Sequence, residues 1–313
     1  MQTPALHHKT KTTDYTVGIC TSGNDRYLAE LVQFMKEESN DSAWRLKEII
    51  IVASEPSPNS LALLNDISID PRFRIVLEEE RRGKFEAINR ILELCSTEYL
   101  VLVNGDALPA RGSIVSLLKR MSSDDKLAVV SSIPIVEYDG GMATGIIALI
   151  WSVHNELLKT LSEDGSNRHS CDELMIVRKS RISKLPYGTV NDGAYMSCYA
   201  SLMGYGVSYS SSSYVIISTP KRLADVVRQR RRIVFGHLQV WKTLGIAPTT
   251  AETTIFTKPL VAIKVLAEAI RKEPRLLISL FAAIVEEVFS STMGLIDFAL
   301  SSRRHSVWKR YES

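Results

Sequence analysis

Apolar residues in the first third of this chain come in short unbroken runs, each followed by a stretch with helical spacing. Residues 15–20, 48–53, 73–77 and 99–103 are such runs, and they predict buried strands. Between the first two, residues 27–36 set Leu28, Leu31, Val32 and Met35 on one helical face. Residues 61–66 and 83–95 predict two further helices. The segments 21–25 and 54–60 are rich in Ser, Gly, Asn and Pro and read as turns. Buried strands alternating with helices predict an α/β fold, with a mostly parallel central sheet flanked by helices. Ligands bind such sheets beyond the carboxyl ends of the strands, so the loops that follow strands carry the candidate chemistry.

The pattern changes further along. The four serines 210–213 read as a small-residue loop near the site. Residues 218–239 form a basic helix with four arginines in five positions, Arg228, Arg230, Arg231 and Arg232, around Gln229. Helical spacing puts Gln229, Arg232 and Gly236 on one face. Residues 258–272 are helical. From Pro274, Leu276, Leu277, Leu280, Phe281, Ile284, Val285, Val288 and Phe289 form two adjacent rows. Glu286, Glu287 and Asp297 interrupt them, which favours an amphipathic helix over a membrane span. The tail 302–311 mixes cations with aromatics, a composition that anchors at anionic membrane surfaces. The expected organisation is a polar tail at 1–13, a catalytic unit at 14–245 and a helical extension at 246–313.

Composition narrows the class. The 313 residues carry a net charge of only +3, so basic charge is local rather than global. That argues against nucleic acid as the partner. The four cysteines (Cys20, Cys95, Cys171 and Cys198) form no Cys-x-x-Cys pair, which excludes the usual zinc spacing and fits a reducing, cytoplasmic setting. Residues 1–13 lack the apolar core of a leader.

Three loops hold the candidate chemistry. Asn104, Gly105 and Asp106 follow a strand, where Asp106 can ligate a hard cation such as Mg²⁺ or Mn²⁺; the same tripeptide is also a common turn. Gly83 and Lys84 offer close backbone approach and a cation at a helix start, suited to phosphate. Asp192 opens a helix, where it can act as a cap, a base or both. The arginine-rich helix can bind diphosphate through planar guanidinium forks, or present a basic face.

In their order along residues 15–241, these segments resemble the inverting family-two glycosyltransferases. Gln229 to Ile233 resembles their Gln-x-x-Arg-Trp motif, with Ile233 in the tryptophan position. Residues 83–89 resemble Gly-Lys-x-x-Ala-x-Asn. Residues 99–108 resemble a strand with Asp-x-Asp, in which Asn104 replaces the first acid and Asp106 keeps the second. Residues 188–209 resemble the Glu-Asp helix and the following strand, with Asn191 replacing the glutamate.

The resemblance implies a GT-A fold and a metal-dependent, inverting transfer of sugar from a nucleotide-sugar donor to an acceptor hydroxyl. Asp106 would hold Mn²⁺ or Mg²⁺, and Asp192 would be the general base, acting with Gln229 and Arg232. Asn24, Glu55, Gly83, Lys84, Asn104 and Asp106 would contact the donor. Ser54 or Glu55 stands where the family's base-contacting aspartate is expected. The acceptor would be a saccharide or lipid-linked, and transfer non-processive. Residues 258–313 would contact the cytoplasmic membrane face peripherally, pack on the domain or join copies into a homo-oligomer. The alternative is a non-catalytic protein of the same fold that binds a nucleotide sugar or polyanion.

Overall fold

A computed structural model describes residues 12–21, 27–37, 43–300 and 305. The first half alternates as the apolar runs predict: β1 (Thr13–Thr21), α1 (Leu28–Glu37), β2 (Trp44–Ser54), α2 (Pro58–Ile67), β3 (Phe73–Glu78), α3 (Lys84–Leu94) and β4 (Tyr99–Asn104). There follow β5 (Ala107–Pro109), α4 (Ser113–Ser122), β6 (Leu127–Val136), α5 (Met142–Glu163), β7 (Leu174–Arg178), α6 (Asp192–Leu202), β8 (Gly206–Ile217) and α7 (Leu223–Leu244). The chain continues through α8 (Ala251–Thr257), α9 (Pro259–Lys272), a 3-10 turn (Pro274–Ser279) and α10 (Leu280–Ala299).

All eight strands form one sheet in the order β3-β2-β1-β4-β7-β6-β8-β5. Unbroken apolar strands arise because both faces are covered. Ile49 and Ile51 pack with Leu31, Met35 and Leu64 of α1 and α2, while Ile50 and Val52 pack with Phe85, Ile88 and Ile91 of α3. Val101 and Val103 join the first core, Leu100 and Leu102 the second. The period-2 alternation thus serves two buried layers rather than one buried and one wet face.

The sheet is mixed. The β3-β2-β1-β4 half is parallel, and so is the β6–β8 pair. Strand β7 runs antiparallel between β4 and β6, and β5 pairs antiparallel with β8. One expectation fails here: serines 210–213 are not a loop but lie within β8. Tyr209 pairs with Ser131 and Tyr214 with Ile133, so the four serines are accommodated opposite Ser132 alone. Their small side chains let the strand bulge: Ser213 is fully covered and Ser210 is buried and bonded to Ser116 at 3.0 Å, while Ser211 and Ser212 at the crest are exposed.

The C-terminal helices lie against α5 and α7. Helix α10 is turned inside out: its buried stripe is Ala283, Glu286, Ser290, Gly294 and Asp297, whereas Phe281, Ile284, Val285, Val288 and Phe289 are exposed. Arginines on α7 explain this. Arg230 makes a two-pronged pair with Glu287, at 2.8 and 2.9 Å, and reaches Glu252 of α8 at 3.1 Å. Arg231 forms a two-pronged pair with Asp297. Of the acids read from the sequence as interruptions, Glu287 and Asp297 are docking contacts, while Glu286 accepts from Ser290 of its own helix. By length and composition, Pro274–Ala299 is the one helical stretch among the described residues apolar enough to cross a membrane, which differs from the sequence expectation.

Candidate active site

Strand direction assembles the site. The parallel strands β1, β2 and β4 end on one edge, delivering Cys20, Thr21, Ser54 and Asn104. Because β7 is antiparallel to β4, with Val103 opposite Leu174, its beginning lies on the same edge. This brings Asp172 and Glu173 beside Asn104, whose N–H donates to the Glu173 carbonyl at 3.1 Å. The end of β8 arrives there too, and Ser218 N–H donates to the Asp106 carbonyl at 3.3 Å. Together with α3, α5, α6 and α7 these ends enclose a cleft of about 240 Å³.

Lys84, the first residue of α3, reaches into the cleft between two carboxylates. Its Nζ lies 2.5 Å from Asp172 Oδ2 and 2.8 Å from Asp192 Oδ2. Preceding it, Gly83 holds φ at +118°, a backbone shape that other residues rarely adopt. Burial works against the ammonium, but the two acids outweigh it and hold the Lys84 pKa well above the ordinary lysine value. The acids diverge. Burial raises Asp192 above the usual carboxylate range, with Lys84 opposing and Asp172 reinforcing the shift. Burial also acts on Asp172, yet its bonded pair with Lys84 leaves it below that range. Two neighbouring acids held apart in this way suit different roles. Glu173 is pushed well up by burial and by the charge of Asp172. Burial pushes the Cys20 thiol up to about 12, which leaves it inert as a nucleophile at neutral pH.

Asp192 is not spent on capping. Asn191 is the N-cap of α6, its Oδ1 accepting from Ala194 N–H at 3.0 Å. Helix α7 steadies this cap from behind. Gln239 accepts from Val190 N–H and donates to the Gly188 carbonyl, both at 2.9 Å. A Cβ on Gly236 would sit 2.8 Å from Asn191 Cβ. Gly236 therefore serves close packing behind Asn191 and Asp192. For Gly236→Ala, the helix gains about 1 kcal/mol of propensity, less than or comparable to the roughly 1–3 kcal/mol of overpacking. The larger effect is expected in turnover: displacing Asp192 lowers kcat roughly tenfold to a hundredfold. Steady-state kinetics beside a donor-binding titration checks that the loss is in kcat. Asn89 has a similar supporting role, exchanging two hydrogen bonds with the backbone of Leu185 at 2.8 and 2.9 Å.

The other sequence candidates are placed as follows. Gln229 and Arg232 line the cleft, with Ile233 beside them. Arg232 Nε also donates to the His305 carbonyl at 3.3 Å. Asn104 and Asp106 line the cleft as well. Ser54 lines it and donates to Glu78 at 2.5 Å, whereas Glu55 is exposed, with φ at +50°, and is not part of the lining. Asn24 lies outside the described residues, as does the tail 302–311 apart from His305. The sequence reading missed Asp172, Glu173 and Trp151 as cleft residues; the acidic pair directly before the apolar run 174–177 was the available signal.

A sheet of this order, with a polar cleft across its strand ends, defines a GT-A glycosyltransferase fold. The chain belongs to glycosyl transferase family 2, whose family model matches residues 16–185. It is 22% identical over 198 residues to a poly-beta-1,6-N-acetyl-D-glucosamine synthase of Staphylococcus aureus, covering 62% of this chain and 48% of that protein. It is 21% identical over 207 residues to the synthase of Staphylococcus epidermidis, covering 63% and 50%. The chain thus spans about half the length of the curated relatives it matches. Among solved structures, it is similar to the mannosyltransferase PcManGT from Pyrobaculum calidifontis in complex with GDP-Man and Mn²⁺. The TM-score is 0.64 at 18% identity, over 94% of this chain and 89% of that one.

Proposed function

We propose that the protein transfers a sugar from a nucleotide-sugar donor to an acceptor hydroxyl by one in-line displacement, with inversion at the anomeric carbon. The observation that carries this reading is the Asp172–Lys84–Asp192 triad in the cleft. It contains an acid with a raised pKa, suited to accept a proton, beside a fixed cation. Asp192 takes the proton of the attacking hydroxyl. Arg232 and Lys84 supply positive charge toward the diphosphate side.

The donor set also fits a divalent cation of the kind shared with a substrate. No cluster of three His, Cys, Asp or Glu residues able to hold a metal ion occurs among the described residues. Asp106, with the Asn104 amide near it in the cleft wall, is instead suited to a cation completed by phosphate oxygens and water. When bound, such an ion neutralises charge on the leaving diphosphate. Asp106→Ala is expected to weaken Mn²⁺-dependent donor binding roughly 10–100-fold. Calorimetric titration with and without Mn²⁺ checks this; unchanged affinity and metal dependence reject the ligand assignment.

A binding-only role draws support from the amides at 104 and 191, where the family resemblance expects acids. Asn191 weakens that support, since its side chain is used as the helix cap. A polyanion-binding face is disfavoured because Arg228, Arg230 and Arg231 are each paired with an acid. Nucleoside diphosphate release from a panel of nucleotide sugars, with Asp192→Asn as control, separates the readings. Release lost in the variant supports transfer, and donor binding without release supports the binding-only role.

A further inference from the structure

Behind the catalytic cleft lies a second, larger chamber of about 410 Å³. The two share a wall that includes Trp151, Asp172, Glu173, Asn191, Gln229 and Ile233, so the spaces adjoin beside the residue that precedes Asp192. Away from that wall the chamber is mostly apolar, lined by residues such as Val153, Leu157, Val265, Leu266 and Leu280, with a few polar side chains among them. It extends to the surface: Ile255, Ile263 and Ile284 line it and are 56%, 65% and 53% exposed. The surrounding surface carries Phe256, Leu260, Ile278 and Phe281, each more than three-quarters exposed. A polar saccharide finds few partners in such a space, whereas an apolar chain fills it and emerges on an apolar surface.

Charge in the chamber constrains the head of such a molecule. Its one permanently charged lining residue of positive sign, Arg230, is already held by Glu252 and Glu287. Asp172 is paired with Lys84. His154, His169 and His237 form a row, His169 buried and the other two half-buried, with ring centroids 4.9 and 5.1 Å apart. Burial holds all three below their ordinary value, His169 at about 4, so they are neutral at neutral pH. His154 Nε2 and His169 Nδ1 are buried with no hydrogen-bond partner among the described residues. The walls thus offer neutral hydrogen-bonding groups and no uncommitted cation, so a phosphate would find no positive charge there that is not already held by an acid.

We propose that the acceptor is a lipid with an uncharged, hydroxyl-bearing head, whose apolar chain occupies this chamber and leaves it between α8, α9 and α10. This rests on the transferase reading above and adds the acceptor class. The lipid hydroxyl meets the donor where chamber and cleft join. Its oxygen forms the new bond to the anomeric carbon while its proton passes to Asp192. The anomeric carbon–phosphate oxygen bond breaks, and its electron pair leaves with the nucleoside diphosphate.

Trp151 provides a readout independent of turnover. In the full-length protein, dioleoylglycerol brominated along its chains and carried in detergent micelles is expected to quench tryptophan fluorescence. The quench should fall in Trp151→Phe, and should fall again in Ala262→Phe, which fills the chamber far from the donor and leaves donor binding unchanged. Brominated phosphatidate, with the same chains and a charged head, should bind at least about tenfold more weakly, the equivalent of about 1.4 kcal/mol. With labelled nucleotide sugar, label should enter the organic phase with dioleoylglycerol. Equal or tighter binding of phosphatidate overturns the uncharged-head assignment. Quenching by neither lipid, or quenching indifferent to Trp151→Phe and Ala262→Phe, overturns the chamber assignment. In either case retained nucleoside diphosphate release would leave the transferase reading standing, whereas loss of donor binding and release with lipid quenching intact would reject that reading alone.

Discussion

Asp192→Asn is expected to abolish measurable transfer while donor affinity stays within about twofold, since an amide of the same shape cannot accept the hydroxyl proton proposed to pass to Asp192; general-base removal typically costs about 10²–10⁴ in rate. The geometry also sets the pH dependence. Burial holds the Asp192 carboxyl above the usual carboxylate range, and Lys84 restrains that rise. Activity requires the ionised form, so the acidic limb of the kcat profile should lie above the pH at which an exposed aspartate titrates. Lys84→Met removes the restraining cation and moves that limb to higher pH, in addition to lowering the rate. Wild-type turnover in Asp192→Asn, or an acidic limb unmoved in Lys84→Met, rejects the base assignment.

The largest effect on stability is expected at Arg230. Its guanidinium, 12% exposed, sits between Glu252 and Glu287 and ties α7 to both α8 and α10. Arg230→Met leaves two acids facing each other beside an apolar chamber. Breaking a buried pair from one side costs about 3–5 kcal/mol; the partial exposure of Glu252 places the expected loss near about 3 kcal/mol. Arg228, paired with Asp225 and half exposed, is the contrast, and Arg228→Met should change stability by under about 1 kcal/mol. Denaturant unfolding of both variants checks the difference. A further Glu287→Leu substitution should recover part of the Arg230→Met loss, because it removes one of the stranded charges. Equal effects at positions 228 and 230 would show that the buried network does not hold the helices.

The parallel half of the sheet is legible in the sequence because its strands are covered twice. Ile49 to Val52 reads as an unbroken apolar run since neighbouring side chains serve opposite cores. The loops at the ends of those strands are legible for the same reason, which is how Asn104, Asp106, Gly83 and Lys84 could be named. The second half resists reading because its determinants lie far away in the chain. The reversal of β7, which brings Asp172 to Lys84, depends on pairing with β4 some seventy residues earlier. The serines 210–213 of β8 carry a loop-like composition, and their place in a strand follows from the width of the bulge opposite Ser132. Asn191 and Asp192 are both good caps, and only the position of Lys84 shows which one is left for chemistry.

The run Arg230, Arg231, Arg232 has a further implication. Three identical side chains, each about 100° around the helix from the last, give α7 no chemical preference of its own for which guanidinium points at the cleft. That choice is made by the acids opposite: Glu287 and Asp297 hold the first two, while Arg232 lines the cleft and donates to the His305 carbonyl. Helix α10 thus acts as a key that fixes the rotational phase of α7. If the key turned by one residue, a different but equivalent arginine would face the cleft, and Gly236 and Gln239 would no longer meet the cap of α6. The precision of the catalytic cleft is therefore partly stored in a helix that contributes none of its lining side chains.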